Sequence, residues 1–126
     1  MDQPVSFQQV GDMLDQIAEE LPGDFYKDLN GGILLLPSHK QHPAYDAGPL
    51  YILGEYHQSR DMGRYIVIYY GSFARVYGHL SPEKQRKELR RILIHEFTHH
   101  LESLAGEKDL AVKDAIRIQK YKKRFG

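Results

Sequence analysis

Two histidines four residues apart, His95 and His99, with Glu96 directly after the first, form the stretch of this chain best suited to chemistry. On a helix, positions i and i+4 project from one face, so the two imidazoles can offer nitrogens to one point in space. Neutral imidazole binds Zn²⁺ at ~2.0–2.1 Å, and a catalytic zinc keeps three protein ligands and one position for water. Such a zinc lowers the pKa of water towards ~7, and a carboxylate held beside it acts as general base. Glu96 has the right place for that role, taking the proton of the water and passing it to the leaving amine. The spacing points to peptide-bond hydrolysis without a covalent intermediate. A His-Glu-x-x-His run also arises by chance on ordinary helices, with solvated or internally satisfied histidines, so its surroundings decide between the two readings.

Positioning such a site takes a long helix with one apolar side. Ser81-Pro82-Glu83 offers a cap, a proline at the first helical position and an acid in the first turn, which predicts a helix from there to about Ala105. Laid out at helical spacing, Leu89, Leu93, Phe97, His100, Leu101 and Leu104 fall on one broad side that packs on a sheet. His95, His99 and Glu102 gather on the opposite side, with Ile92 and Glu96 at its flank. The histidine pair therefore faces a cleft and not the core. His100 lies on the core side and reads as a buried, hydrogen-bonded histidine or as support behind the ligands.

The rest of the chain supplies the sheet and its flanking helices. Ser6 and Gln9 form a capping box, and Phe7, Val10, Leu14, Ile17 and Leu21 repeat at helical spacing until Pro22-Gly23 stops the helix. A short helical turn over residues 24–29 and the turn Asn30-Gly31-Gly32 lead into a short buried strand over residues 33–36, closed by Pro37. Residues 38–49 read as a surface loop, and its His39 and His42 as solvated side chains, not a second metal site. Residues 50–56 and 65–70 are rich in Tyr and Ile and predict an antiparallel hairpin with a long loop. In its second strand Ile66 and Ile68 point one way, and Tyr65, Val67 and Tyr69 the other. Residues 72–79 predict a short helix, and residues 110–121 a final one whose basic end, residues 120–124, complements the helix dipole. Tyr65, Tyr69 and Tyr70 suit cross-strand packing, with oxyanion donation as their functional alternative.

Composition sets the limits. A chain of 126 residues buries one modest core, so residues 1–126 are expected to form a single domain. Lys+Arg and Asp+Glu both number 17, a balance that argues against a nucleic-acid or membrane-surface partner and leaves a peptide or protein substrate. With no cysteine, any metal must be held by His, Asp or Glu, and a reducing cytoplasm fits. The start of the chain lacks a basic, then apolar, leader pattern and no stretch approaches a membrane span, so a soluble cytoplasmic protein is expected.

The order of helix, short strand, hairpin and Ser-Pro-capped helix bearing His95-Glu96-Phe97-Thr98-His99-His100 resembles the small zincin-like metallopeptidases of bacteria. The likeness covers residues 6–114 and is sharpest over residues 91–109. It implies an α+β fold of minimal zincin type: a small mixed sheet of about three to four strands packed against the active-site helix, with flanking N- and C-terminal helices. It also implies one zinc ion held by His95 and His99, with Glu96 as catalytic base. The family pattern places a glycine three residues after the second histidine and an acid or histidine three beyond that. Here Glu102 stands in the glycine's place, and Gly106-Glu107-Lys108-Asp109 reproduces the second half one helical turn later. The resemblance thus favours Asp109 as third ligand. Glu102, which shares the histidines' face, Glu107 and Asp114 remain its rivals. Two alternatives to a peptidase stand beside it: a catalytically weak scaffold that binds peptides or a partner protein in the same cleft, and a purely structural metal site.

Overall fold

The structure, a computed structural model, describes residues 5–42 and 50–108, the last two by their backbone alone. Asp109, Asp114 and the expected C-terminal helix over residues 110–121 lie outside the described residues, as does much of the loop after His42. Among the described residues three α-helices and a three-stranded mixed sheet make an α+β fold.

The chain begins with α1, Phe7–Glu20, whose N-terminal amides are satisfied by the expected capping box. Ser6 Oγ accepts from the Gln9 amide at 3.1 Å and the Gln9 side chain accepts from the Ser6 amide at 2.8 Å. Val10, Leu14 and Ile17 repeat at helical spacing and are buried, while Phe7 stays exposed and meets the Tyr70 ring edge-on. A 3₁₀ turn, Gly23–Tyr26, puts Phe25 into the core against Phe97.

Strand β1, Gly32–Leu36, pairs in parallel with β3, Gly63–Tyr69, and β2, Gly54–Ser59, pairs antiparallel with β3 on its other side. The order β1-β3-β2 leaves β1 at an edge, so the expected buried strand is only half-buried and Leu36 is exposed. The central strand carries the burial. Ile66 and Ile68 point into the core from β3, as the alternation requires, and Ile33 and Leu35 of β1 stand opposite them.

The hairpin differs from its expected form. Its first strand starts at Gly54 and runs through the polar His57, Gln58 and Ser59, and its loop is only Arg60, Asp61 and Met62. Polar residues suit β2 because it is an edge strand whose end is exposed, with Gln58 and Ser59 open to solvent. Gly63, at φ 71°, supplies the left-handed residue that closes a three-residue hairpin loop. Because those residues are polar, the strand looks like loop to a hydrophobicity pattern.

After β3 the chain turns directly into α2, Tyr70–Tyr77, and then α3, Pro82–Lys108, which crosses under the sheet. Leu89, Leu93, Phe97, Leu101 and Leu104 are buried, in one cluster with α1 and β3, as the helical spacing requires. Arg86 and Arg90 tie α3 to the end of α1 through Glu20. Helix α3 passes through Gly106 without stopping, so the glycine break implied by the family pattern does not occur there. A glycine inside a helix costs about 1 kcal/mol relative to alanine, too little by itself to end one.

Gly71 opens α2 where a strip of main chain crosses it. Its amide donates to the Ser38 carbonyl at 3.0 Å, and a Cβ there would lie 2.7 Å from both Ser38 C and His39 N. Gly71→Ala is therefore expected to cost about 1–3 kcal/mol in thermal or denaturant unfolding, since backbone must move to admit the methyl group. Gly11→Ala, whose Cβ would meet Leu35 Cδ2 at an ordinary 3.7 Å inside α1, is the control and is expected to stabilise by about 0.5–1 kcal/mol.

Candidate metal centre

The phase of α3 places the site. With its apolar side against the sheet and α1, His95 and His99 are turned to the exposed side, and His100 is fully buried. His100 fixes that phase by two hydrogen bonds. Its Nε2–H donates to the Lys27 carbonyl at 2.7 Å, so Nδ1 carries no proton and accepts from the Tyr56 hydroxyl at 2.9 Å. One imidazole thus joins α3 to β2 and to the turn after α1. Burial lowers the pKa of His100, against the opposing pull of the Lys27 carbonyl, with Arg64's charge adding to the lowering.

The Nε2 atoms of His95 and His99 face each other at 3.1 Å. Two nitrogens each ~2.0–2.1 Å from one tetrahedral ion stand roughly 3.3 Å apart, so this separation fits a shared zinc. Beside them Glu96 is only 5% exposed. Burial pushes its carboxyl up to about 7, and the negative charge of Glu55 adds to the shift.

Glu55 is a member of the site that sequence reasoning missed. It lies on β2, and its carboxylate accepts from Lys40 Nζ at 2.7 Å, the Tyr69 hydroxyl at 2.6 Å and His57 Nε2 at 3.1 Å. Burial acts to raise its pKa, but these donors outweigh it and hold Glu55 below the usual carboxylate range. The same contact raises Tyr69, where burial is the larger cause. A Glu on a half-polar strand carries no sequence signal of this kind; only the strand register brings it beside Glu96.

A polar groove runs over the histidine pair between α3 and β2, bordered by His95, Glu96 and His99 on the helix and Glu55, His57 and Gln58 on the strand. Gln58 spans it, donating from Nε2 to Ser103 Oγ at 2.8 Å. Glu102 is exposed and lines the groove one turn beyond His99. Among the described residues no group of three His, Asp or Glu side chains gathers as metal ligands. Asp109 and Asp114, and the side chain of Glu107, fall outside what is described.

The tyrosines sort differently from their functional alternative. Tyr69 donates to Glu55, Tyr70 donates to the Val5 carbonyl at 2.7 Å, and Tyr65 stacks on His57. None of the three borders the groove over the histidines; Tyr56 does. His39 packs against Tyr51, and neither His39 nor His42 lines that groove. No helix among the described residues is long and apolar enough to cross a membrane.

A long helix carrying a His-Glu-x-x-His pair, laid beneath the edge of a three-stranded mixed sheet, defines a small α+β protein with a candidate metal centre. The chain is similar to a conserved hypothetical protein of known structure from Thermus thermophilus, with 33% identity over 82% of this chain and 100% of that one and a TM-score of 0.70. At that identity and coverage the chain belongs to the same family as the Thermus protein. No protein-family model and no curated protein matches it. The likeness carries kinship and fold; the chemistry rests on this chain's own residues.

Proposed function

We propose that the protein is a zinc-dependent peptidase of minimal zincin type, cleaving peptide bonds in the groove between α3 and β2. The observation that carries this reading is the pair of Nε2 atoms 3.1 Å apart on the exposed side of α3, with a buried carboxylate one residue from the first. His95 and His99 would hold the ion, with Asp109 as the favoured third ligand and Glu102, Glu107 and Asp114 as its rivals. Zinc, when bound, supplies a Lewis acid that polarises the scissile carbonyl and brings the pKa of water towards ~7. Glu96 accepts the proton of the attacking water on its carboxylate and delivers it to the departing amine.

Strand β2 suits an extended substrate. The Tyr69 amide donates to the Leu53 carbonyl at 2.9 Å, and the register pairs Gly54 with Ile68 and Gln58 with Arg64. Bonded pairs alternate with non-bonded ones along an antiparallel ladder, so Leu53, Glu55 and His57 face β3, and the main chain of Gly54 and Gln58 faces the groove. A peptide added there gains main-chain hydrogen bonds alongside β2. The same strand edge serves the second reading, a catalytically weak peptide- or protein-binding scaffold, equally well.

The test is zinc binding and cleavage by the full chain. The protein is expected to take up one zinc, cleave an unstructured peptide library and lose that cleavage to a chelator. His95→Ala is expected to weaken zinc binding by more than the roughly 10–100-fold that loss of an outer-shell partner costs. Full zinc content in His95→Ala sinks the metal centre. A zinc-loaded protein that binds the peptides and leaves them intact supports the scaffold instead.

A further inference from the structure

On the N-terminal side of the histidine pair, α3 borders a second hollow of about 570 Å³. Ile52, Leu53, Ile92 and Ile94 give it apolar walls, and it shares His95 and Glu96 with the groove already described. One helical turn before His95, Arg91 lines it beside Tyr77 of α2. Arg91 Nη2 donates to the Tyr77 hydroxyl at 2.9 Å, and its Nε donates to Glu88 at 2.9 Å. The guanidinium is therefore already paired with a carboxylate and offers little to an incoming acid.

Resting on the peptidase reading, we propose that this hollow receives the side chain of the substrate residue next to the scissile bond and selects a bulky apolar one, aromatic or long aliphatic. Three observations lead there. Its continuity with His95 and Glu96 puts any occupant beside the reacting carbonyl. The apolar walls gain from excluding water only when an apolar group fills them, and a charged side chain laid along Ile52, Leu53, Ile92 and Ile94 would lose hydration without a hydrogen bond from those walls. The groove on the other side of Glu96 has the opposite character, with Gln58, Glu102 and Ser103 along it. A chain crossing the site thus meets one apolar and one polar flank, which distinguishes its two ends.

The experiment has two arms. In the first, zinc-loaded full-length protein is given peptides that differ only at the two residues flanking one bond. Phe or Leu at one of those positions is expected to exceed Gly and Lys by about 10²-fold in kcat/KM, the scale set by filling or leaving empty an apolar pocket. Ile52→Asp and the pocket-filling Ile52→Trp are each expected to remove that advantage. In the second arm N-acetyl-phenylalanine amide is titrated into metal-free protein and the methyl signals of Ile52, Leu53, Ile92 and Ile94 are followed by NMR. Those signals should move, stay still with N-acetyl-glycine amide, and stay still in Ile52→Trp. Equal cleavage of all peptides, or methyl signals unmoved by the aromatic amide, overturns the pocket. Binding of the amide without cleavage of any peptide removes the hydrolytic reading and leaves the pocket's selectivity standing.

Discussion

Glu96→Gln is expected to lower peptide hydrolysis by about 10²–10⁴-fold while zinc stays bound, the loss that removal of a positioned general base produces. Glutamine keeps the shape and hydrogen-bonding reach of the side chain but cannot take a proton from water. Since Glu96 is 5% exposed, a near-isosteric replacement leaves the surrounding packing in place. The His95 and His99 nitrogens, 3.1 Å apart, do not depend on it. The loss should therefore fall on kcat and kcat/KM alike, the pattern of an interaction made only in the transition state. Side-by-side zinc content and single-turnover rates for the variant and the wild type decide the matter. Undiminished cleavage by the glutamine variant would remove Glu96 from the chemistry, whatever the metal does.

That expectation rests on residues whose places are legible in the sequence, and the reason is periodicity. Leu89, Leu93, Phe97, Leu101 and Leu104 recur at the spacing of one helix face, and burying that face turns His95 and His99 outward with no further information. The Ser6–Gln9 capping box and the alternation of Ile66 and Ile68 are equally local and equally readable. What could not be read depends on contacts between distant segments. Polar His57 and Gln58 belong to a strand because β3 pairs with them, and hydrophobicity carries no trace of that pairing. Glu55 acts on Glu96 only through the packing of β2 against α3. Gly106 marks a helix end by composition, yet α3 continues to Lys108, because a propensity of about 1 kcal/mol does not by itself end a helix.

His100→Ala is expected to be among the most damaging single changes to stability, at about 3–5 kcal/mol, or roughly 10–20 °C in thermal unfolding. The side chain is fully buried, and its loss opens a cavity and leaves the Lys27 carbonyl and the Tyr56 hydroxyl without their bonds to it. His100→Phe fills the space without replacing the bonds and should cost less, about 2–3 kcal/mol, while Tyr56→Phe, which gives up one bond, should cost about 1 kcal/mol. The imidazole also sets a pH dependence with a definite sign. Its folded pKa lies below the ordinary value of 6.5, so the unfolded chain takes up the proton first as pH falls. The stability it contributes is complete above about pH 6.5 and declines as pH drops towards the lowered folded value. Unfolding free energies across that range should show a steeper fall in the wild type than in His100→Phe, which has no proton to take up at this position. Parallel pH curves for the two proteins would mean that His100 is not held neutral in the fold. The same substitution separates support from ligation: His100→Phe removes the bond that links α3 to β2 but leaves His95 and His99 in place, so zinc binding should survive it at temperatures where the variant is folded. If zinc is lost from folded His100→Phe, the phase of α3 that presents the two ligands depends on this one imidazole more than on the apolar face beneath it.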